Sequence, residues 1–112
     1  MKLVTAVVQP HRWPNVFDSL KEAGVNGLTV CEVQGMGRQR GHSEVYRGAE
    51  YETALNPKLR VEIVADDDDV ETVVNAVMGA AATGRIGDGK VWIQPLDSVV
   101  RVRTGEVGFD AI

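Results

Sequence analysis

Two stretches of this chain place apolar residues on one face of a helix, and each lies between runs rich in β-branched residues. Trp13, Val16, Phe17, Leu20 and Ala23 recur at i, i+3, i+4, i+7 and i+10, the spacing of a single helical face. Pro14 suits the first turn of such a helix, where a missing N–H costs little, and Gly24 suits its end. Val70, Val73, Val74, Val77, Met78 and Ala81 repeat the pattern. The aspartates Asp66 to Asp69 precede that second helix. Carboxylates there favour its positive end and cap its free N–H groups, a better account of them than a metal site. Gly84 closes the helix. Around the first helix, KLVTAVVQ (2–9) and LTVCEVQG (28–35) read as strands. KLRVEIVA (58–65) alternates, with Leu59, Val61 and Ile63 on one face and Lys58, Arg60 and Glu62 on the other. VWIQPL and SVVRVR read as strands after the second helix, and the ending TGEVGFDAI is polar and glycine-bearing.

An amphipathic helix needs a surface to cover. The order β-α-β-loop-β-α-β supplies one. It predicts an α+β fold, a ferredoxin-like double βαβ sandwich with two helices on one face of an antiparallel sheet. The halves match in pattern and not in sequence, so the chain is no solenoid. The second sheet face also carries apolar groups, and oligomerisation is one way to cover it. A length of 112 residues fits a single domain. With 44% hydrophobic and 25% charged residues, the composition argues against disorder. A net charge of -4 gives no electrostatic case for direct nucleic-acid binding. The single cysteine, Cys31, sits in an apolar run and reads as a small core residue rather than a nucleophile. An unpaired cysteine and no signal peptide point to the cytoplasm. No apolar stretch nears the ~20 residues of a membrane span, so any membrane association would come through a partner.

Between Met36 and Pro57 the periodicity dissolves. A structureless segment of about 20 residues is uncommon in a compact domain and is usually functional or disordered. Tyr46 and Tyr51 lie in it with no core pattern around them. GRIGDGK (84–90) matches most of the pattern G-x-x-x-x-G-K. Val91 stands where a magnesium-binding Ser or Thr belongs, and the loop runs from helix to strand, so a P-loop NTPase is excluded. The glycines still let backbone N–H groups approach an anion, with Lys90 adding charge. A plain glycine-rich turn with an exposed lysine is the equal alternative. In a strand, Arg101 and Arg103 would share a face, suited either to polyphosphate or to solvent. GMGRQRG (35–41) is a second glycine and arginine cluster, but not a Rossmann fingerprint, because its last glycine comes one residue late. His11 and His42 lack the spaced partners of a zinc site and read as surface or structural. No nucleophile–base pair stands out.

Three segments taken together carry a resemblance. GRQRGHSEVYRGAEY, TGRIGDGKVW and VVRVRTGE are similar, in order and spacing, to the signature segments of the PII nitrogen-regulatory signal-transduction proteins, and the likeness covers nearly the whole chain. It implies the ferredoxin-like sandwich assembled as a compact homotrimer. The segment of about 37–56 would be the T-loop that docks on targets, 82–90 the phosphate-binding B-loop, and 102–112 the C-loop. ATP or ADP would lie between subunits. Gly87, Asp88, Gly89 and Lys90 would cradle its phosphates, Arg101 and Arg103 would reach in from a neighbour, and Thr29 and Val64 would serve the adenine. Gly35, Gly37 and Arg38, at the base of the T-loop, would contact the nucleotide as well. Gln39 resembles the family's Mg2+ ligand. The second effector, 2-oxoglutarate, would chelate that magnesium, held by groups around Gln39, Arg40 and Gly41, with Lys58 on its far carboxylate. Tyr51 stands where a nucleotidylyltransferase attaches a uridylyl or adenylyl group. KVWIQP and the ending resemble actinobacterial members, which favours adenylylation. The implied role is regulatory rather than enzymatic, with an ammonium transporter and nitrogen-metabolism enzymes or regulators as partners.

The chain departs from the family at Gln9, usually lysine, at HRWPN, where an aromatic is usual near His11, and at Asn56, where an apolar residue is usual. No residue assigned to a ligand is missing. Two other readings compete with a sensor. One is a weak ATPase using GRIGDGK and the arginines. The other is a PII-like trimer for a different small molecule or a metal, supported by His11, His42 and the aspartates.

Overall fold

A computed structural model describes residues 1–37, 43–46, 49–52 and 55–112. Strand β1 (Lys2–Val8) runs through the centre, and Val4, Ala6 and Val8 alternate into the core as its period of two requires. A 3-10 turn at Pro10–Arg12 leads into helix α1 (Trp13–Glu22). Strand β2 (Thr29–Gly35) follows, then β3 (Ser43–Tyr46), β4 (Ala49–Glu52) and β5 (Asn56–Ala65). Helix α2 (Val70–Ala81) and strand β6 (Gly89–Pro95) complete the series. The four-stranded sheet has the order β2-β5-β1-β6, and every neighbouring pair is antiparallel. This is the predicted ferredoxin-like α+β sandwich, with each helix crossing over between strands that are not hydrogen-bonded to each other.

The helices supply the other wall of the core. Val16 and Leu20 of α1 and Val73, Val77 and Ala81 of α2 are buried against Val4, Ala6, Val8, Val61, Ile63 and Ala65 of the central strands. Burial of a leucine or valine side chain is worth about 1.5–3 kcal/mol, so this set holds the two layers together. Phe17 and Met78, expected on the same stripes, sit at their margins and are exposed. Phe17 rests on Trp13, ring centroids 5.4 Å apart, with the Lys21 ammonium 4.9 Å from its ring centre.

The end of α1 is as expected, and the ends of α2 differ in detail. Gly24, with φ +91, closes α1 as predicted. α2 stops at Ala81, because Ala82 is already extended; Gly84 belongs to the loop beyond. The last turn of α2 is satisfied from outside the helix: Arg12 donates through Nε (2.9 Å) and Nη2 (2.7 Å) to the Ala80 carbonyl, a cation at the negative helix end. Ser19 Oγ donates to the Ala76 carbonyl at 2.8 Å. The aspartates make no side-chain cap. Asp67 instead accepts from the N-terminal ammonium at 2.8 Å, with Lys2 at 3.5 Å.

Two further readings are corrected. The supposed structureless segment contains a hairpin, β3 paired antiparallel with β4, which forms a second sheet of its own. Its strands of four residues are too short for a period to register in sequence. SVVRVR is not a strand, and Arg101 and Arg103 do not share a strand face. Only an isolated bridge joins Val100 to Val107, because the chain folds back at once. The Gly105 N–H donates to the Arg101 carbonyl (2.8 Å), Gly105 having φ +72, and the Arg101 N–H donates to the Glu106 carbonyl (2.9 Å). A 3-10 turn at Gly108–Ala111 ends the chain. No helix among the described residues is long and apolar enough to cross a membrane.

Candidate functional site

The loop from Thr83 to Lys90 leaves α2 and enters β6, the edge strand beside β1. Its shape is set by glycines and one carboxylate. Gly84, Gly87 and Gly89 have φ of +80, +99 and +112, in the region that side chains disfavour. At Gly89 the requirement is absolute, since a Cβ would stand 1.8 Å from the Val7 carbonyl oxygen. The Asp88 carboxylate turns back into the loop. Its Oδ2 accepts from the N–H of Thr83 (2.7 Å) and of Gly84 (3.0 Å), and its Oδ1 accepts from the Thr83 hydroxyl. The Thr83 hydroxyl, followed by the Thr83 N–H, holds the Asp88 carboxyl below its usual range.

Lys58 joins this loop to the sheet. Alternation along β5 put it on the face away from the helices, and it is there, facing the same side as Val33 across β2. It is nonetheless buried, at 8% exposure, and its Nζ donates to the Gly87 carbonyl at 3.0 Å. Burial pushes its ammonium below the ordinary lysine value, and the nearby Asp88 carboxylate opposes that shift. Among the described residues no group of three or more His, Cys, Asp or Glu could hold a metal ion.

The candidate residues fall into two clefts. Gly35, Gly37, Lys58 and the run Gly87–Lys90 border one of about 920 Å³. Asn56, Val7 and Trp92 border it as well and were not singled out as ligand contacts in the sequence. Thr29 and Val64 border another, of about 590 Å³, beside Phe109 and Ile112 of the C-terminal turn. Arg101 and Arg103 border neither. The Arg101 guanidinium reaches Glu106 Oε1 at 3.4 Å and the Ile112 carbonyl at 3.5 Å. Arg38, Gln39, Arg40, Gly41 and His42 lie outside the described residues. Tyr51 belongs to β4, opposite Glu44 in the hairpin register. Thr83 escaped the sequence reading; the signal for it was a hydroxyl residue just ahead of a glycine-rich loop that carries an aspartate.

The described residues thus form a small α+β sandwich with a glycine-shaped loop and a buried lysine over its open sheet face. Residues 1–106 match the family described as Nitrogen regulatory protein P-II. The chain is 49% identical to a Nitrogen regulatory protein P-II of Mesorhizobium japonicum and 48% identical to one of Rhizobium meliloti. It is 49% identical to one of Azospirillum brasilense. Each alignment covers 100% of both chains. The chain therefore belongs to the P-II family of nitrogen regulatory proteins. These relatives are proteobacterial and lend no support to the actinobacterial likeness of the ending.

Proposed function

We propose that this protein senses adenine nucleotide and 2-oxoglutarate together, and passes their state to nitrogen-metabolism targets through residues 37–56. One observation carries the proposal. Lys58, the candidate partner of the 2-oxoglutarate far carboxylate, hydrogen-bonds to the carbonyl of Gly87 in the loop suited to ATP phosphates. The two ligands would therefore meet in one cleft and feel one another directly. A cleft of about 920 Å³ with a buried lysine, an exposed Lys90 and glycine backbone on its rim fits an anionic ligand. Gln39 would hold Mg2+, which would supply a shared electrophilic anchor for the phosphates and the keto acid. Thr29 and Val64 would receive the adenine in the second cleft, contributed by another copy of the chain in a homotrimer. Arg101 and Arg103 would meet the nucleotide across the same boundary.

Differential affinity of ATP with 2-oxoglutarate, and of ADP, for two arrangements of residues 37–56 would shift their populations. Ammonium transporters and nitrogen-metabolism enzymes are the targets this reading implies. Tyr51 is proposed as an acceptor for adenylyl or uridylyl transfer, which would add charge and bulk to a docking hairpin. Mass spectrometry of protein from nitrogen-limited cells should show one of those adducts at Tyr51; an unmodified Tyr51 across nitrogen regimes removes that part of the proposal.

Calorimetric titration tests the sensor. 2-Oxoglutarate should bind only when Mg-ATP is present, and each ligand should tighten the other by the same factor. Lys58→Ala should abolish the 2-oxoglutarate response. Nucleotide binding that ignores 2-oxoglutarate would contradict the dual reading, and steady ATP hydrolysis at ~1 per second or more would favour an enzyme instead.

A further inference from the structure

Asp88 stands in the middle of the loop to which phosphate binding is assigned, yet its own charge is of the wrong sign to touch phosphate. Its carboxylate is already engaged. It takes the N–H groups of Thr83 and Gly84 and the Thr83 hydroxyl, while the Arg85 N–H donates to that same hydroxyl oxygen at 3.3 Å. Residues 83–88 are thus tied into a ring at their open end. At the other end, Gly89 lies so close to Val7 that no side chain fits. Lys58 fixes the peptide between, through the Gly87 carbonyl.

We infer that Asp88, through Thr83, is a positioning residue whose carboxylate presets the loop for a phosphate-bearing ligand and does not itself contact that ligand. The inference rests on the nucleotide reading above. An exposed glycine-rich loop has many conformations to lose on binding. A loop already closed by its own carboxylate loses fewer, and that preorganisation appears as affinity. The same contacts withdraw the amides of Thr83 and Gly84 from the ligand, leaving the segment from Gly87 to Lys90 to meet it.

This role and simple electrostatics predict opposite signs. Removing a negative charge beside a polyphosphate site should tighten ATP binding if Asp88 acts only as a charge. Removing the acceptor of two loop amides should weaken it. Calorimetry of Mg-ATP binding to the full-length Asp88→Ala, Thr83→Val and Thr83→Ser proteins separates them. We expect Asp88→Ala, which removes the acceptor together with the charge, to bind on the order of 10- to 100-fold more weakly and Thr83→Val to weaken binding without any change of charge. Thr83→Ser, which keeps the hydroxyl, should bind as wild type. Amide hydrogen exchange on the ligand-free proteins should show the Thr83 and Gly84 N–H groups losing protection in Asp88→Ala but not in Thr83→Ser. Tighter or unchanged binding by Asp88→Ala, with Thr83→Val unchanged, overturns the inference while leaving nucleotide binding intact. A wild-type protein that binds no nucleotide overturns both.

Discussion

At the scale of single residues, Gly89 bears the hardest constraint. Its φ of +112 is a region a side chain rarely adopts, and a Cβ would press on backbone rather than on a yielding side chain. Gly89→Ala should therefore cost at least about 2 kcal/mol in denaturant unfolding and loosen the end of the β1–β6 pairing. Stability equal to wild type would show that the loop sits elsewhere. Asp67 makes a smaller and pH-dependent contribution. The N-terminal ammonium holds its carboxyl below the usual value of 3.8. A depressed folded-state pKa means stability present above 3.8 and lost as pH falls through the folded value. Asp67→Asn should thus melt below wild type at neutral pH, and the gap should close under acid, below 3.8. A gap that persists there would assign the effect to something other than this ion pair. The glycines of the loop were legible as letters, since its turns with positive φ need residues without a side chain. The burial of Lys58 was not. Strand alternation correctly assigned its face, but the loop that covers that face comes 29 residues later, at Gly87.

At the scale of elements, the two helices and the central strands follow from periodicity because each has one buried face that fixes the period. Leu20, fully buried between the layers, should cost about 2–5 kcal/mol as Leu20→Ala, read from chemical denaturation. The link from Arg12 to the end of α2 is an element-level contact invisible to pattern, because it joins residues 68 apart. Arg12→Met should cost about 1–2 kcal/mol and fray the last turn of α2, measurable by amide exchange at Ala80 and Ala81. The misreading of SVVRVR has a clear cause. Valines at 99, 100 and 102 carry strand propensity, but β6 and β2 already end the sheet and the turn at Gly105 folds the segment onto itself. Propensity without a partner strand does not make a strand. The hairpin of β3 and β4 was hidden for the complementary reason, a partner being present but the strands too short to announce it.

At the scale of the whole molecule, the helices cover one sheet face only. The opposite face carries half-buried Leu3, Val7, Val33 and Val64, with Trp92 42% exposed, a surface suited to a further copy of the chain. The residues proposed for the nucleotide divide between two clefts, Gly87 to Lys90 bordering one and Thr29 and Val64 the other. In sequence this division is invisible, because spacing along a chain says nothing of which copy completes a site. Co-expression of two variants tests it most directly. Lys90→Glu disables the phosphate half and Thr29→Trp fills the adenine half. Neither variant alone should bind ATP. In mixed trimers formed at random, a site is whole wherever a Thr29→Trp loop faces a Lys90→Glu adenine cleft, so binding should return at about a quarter of the sites. Mixed trimers that remain silent would place the whole site within one chain and contradict this account.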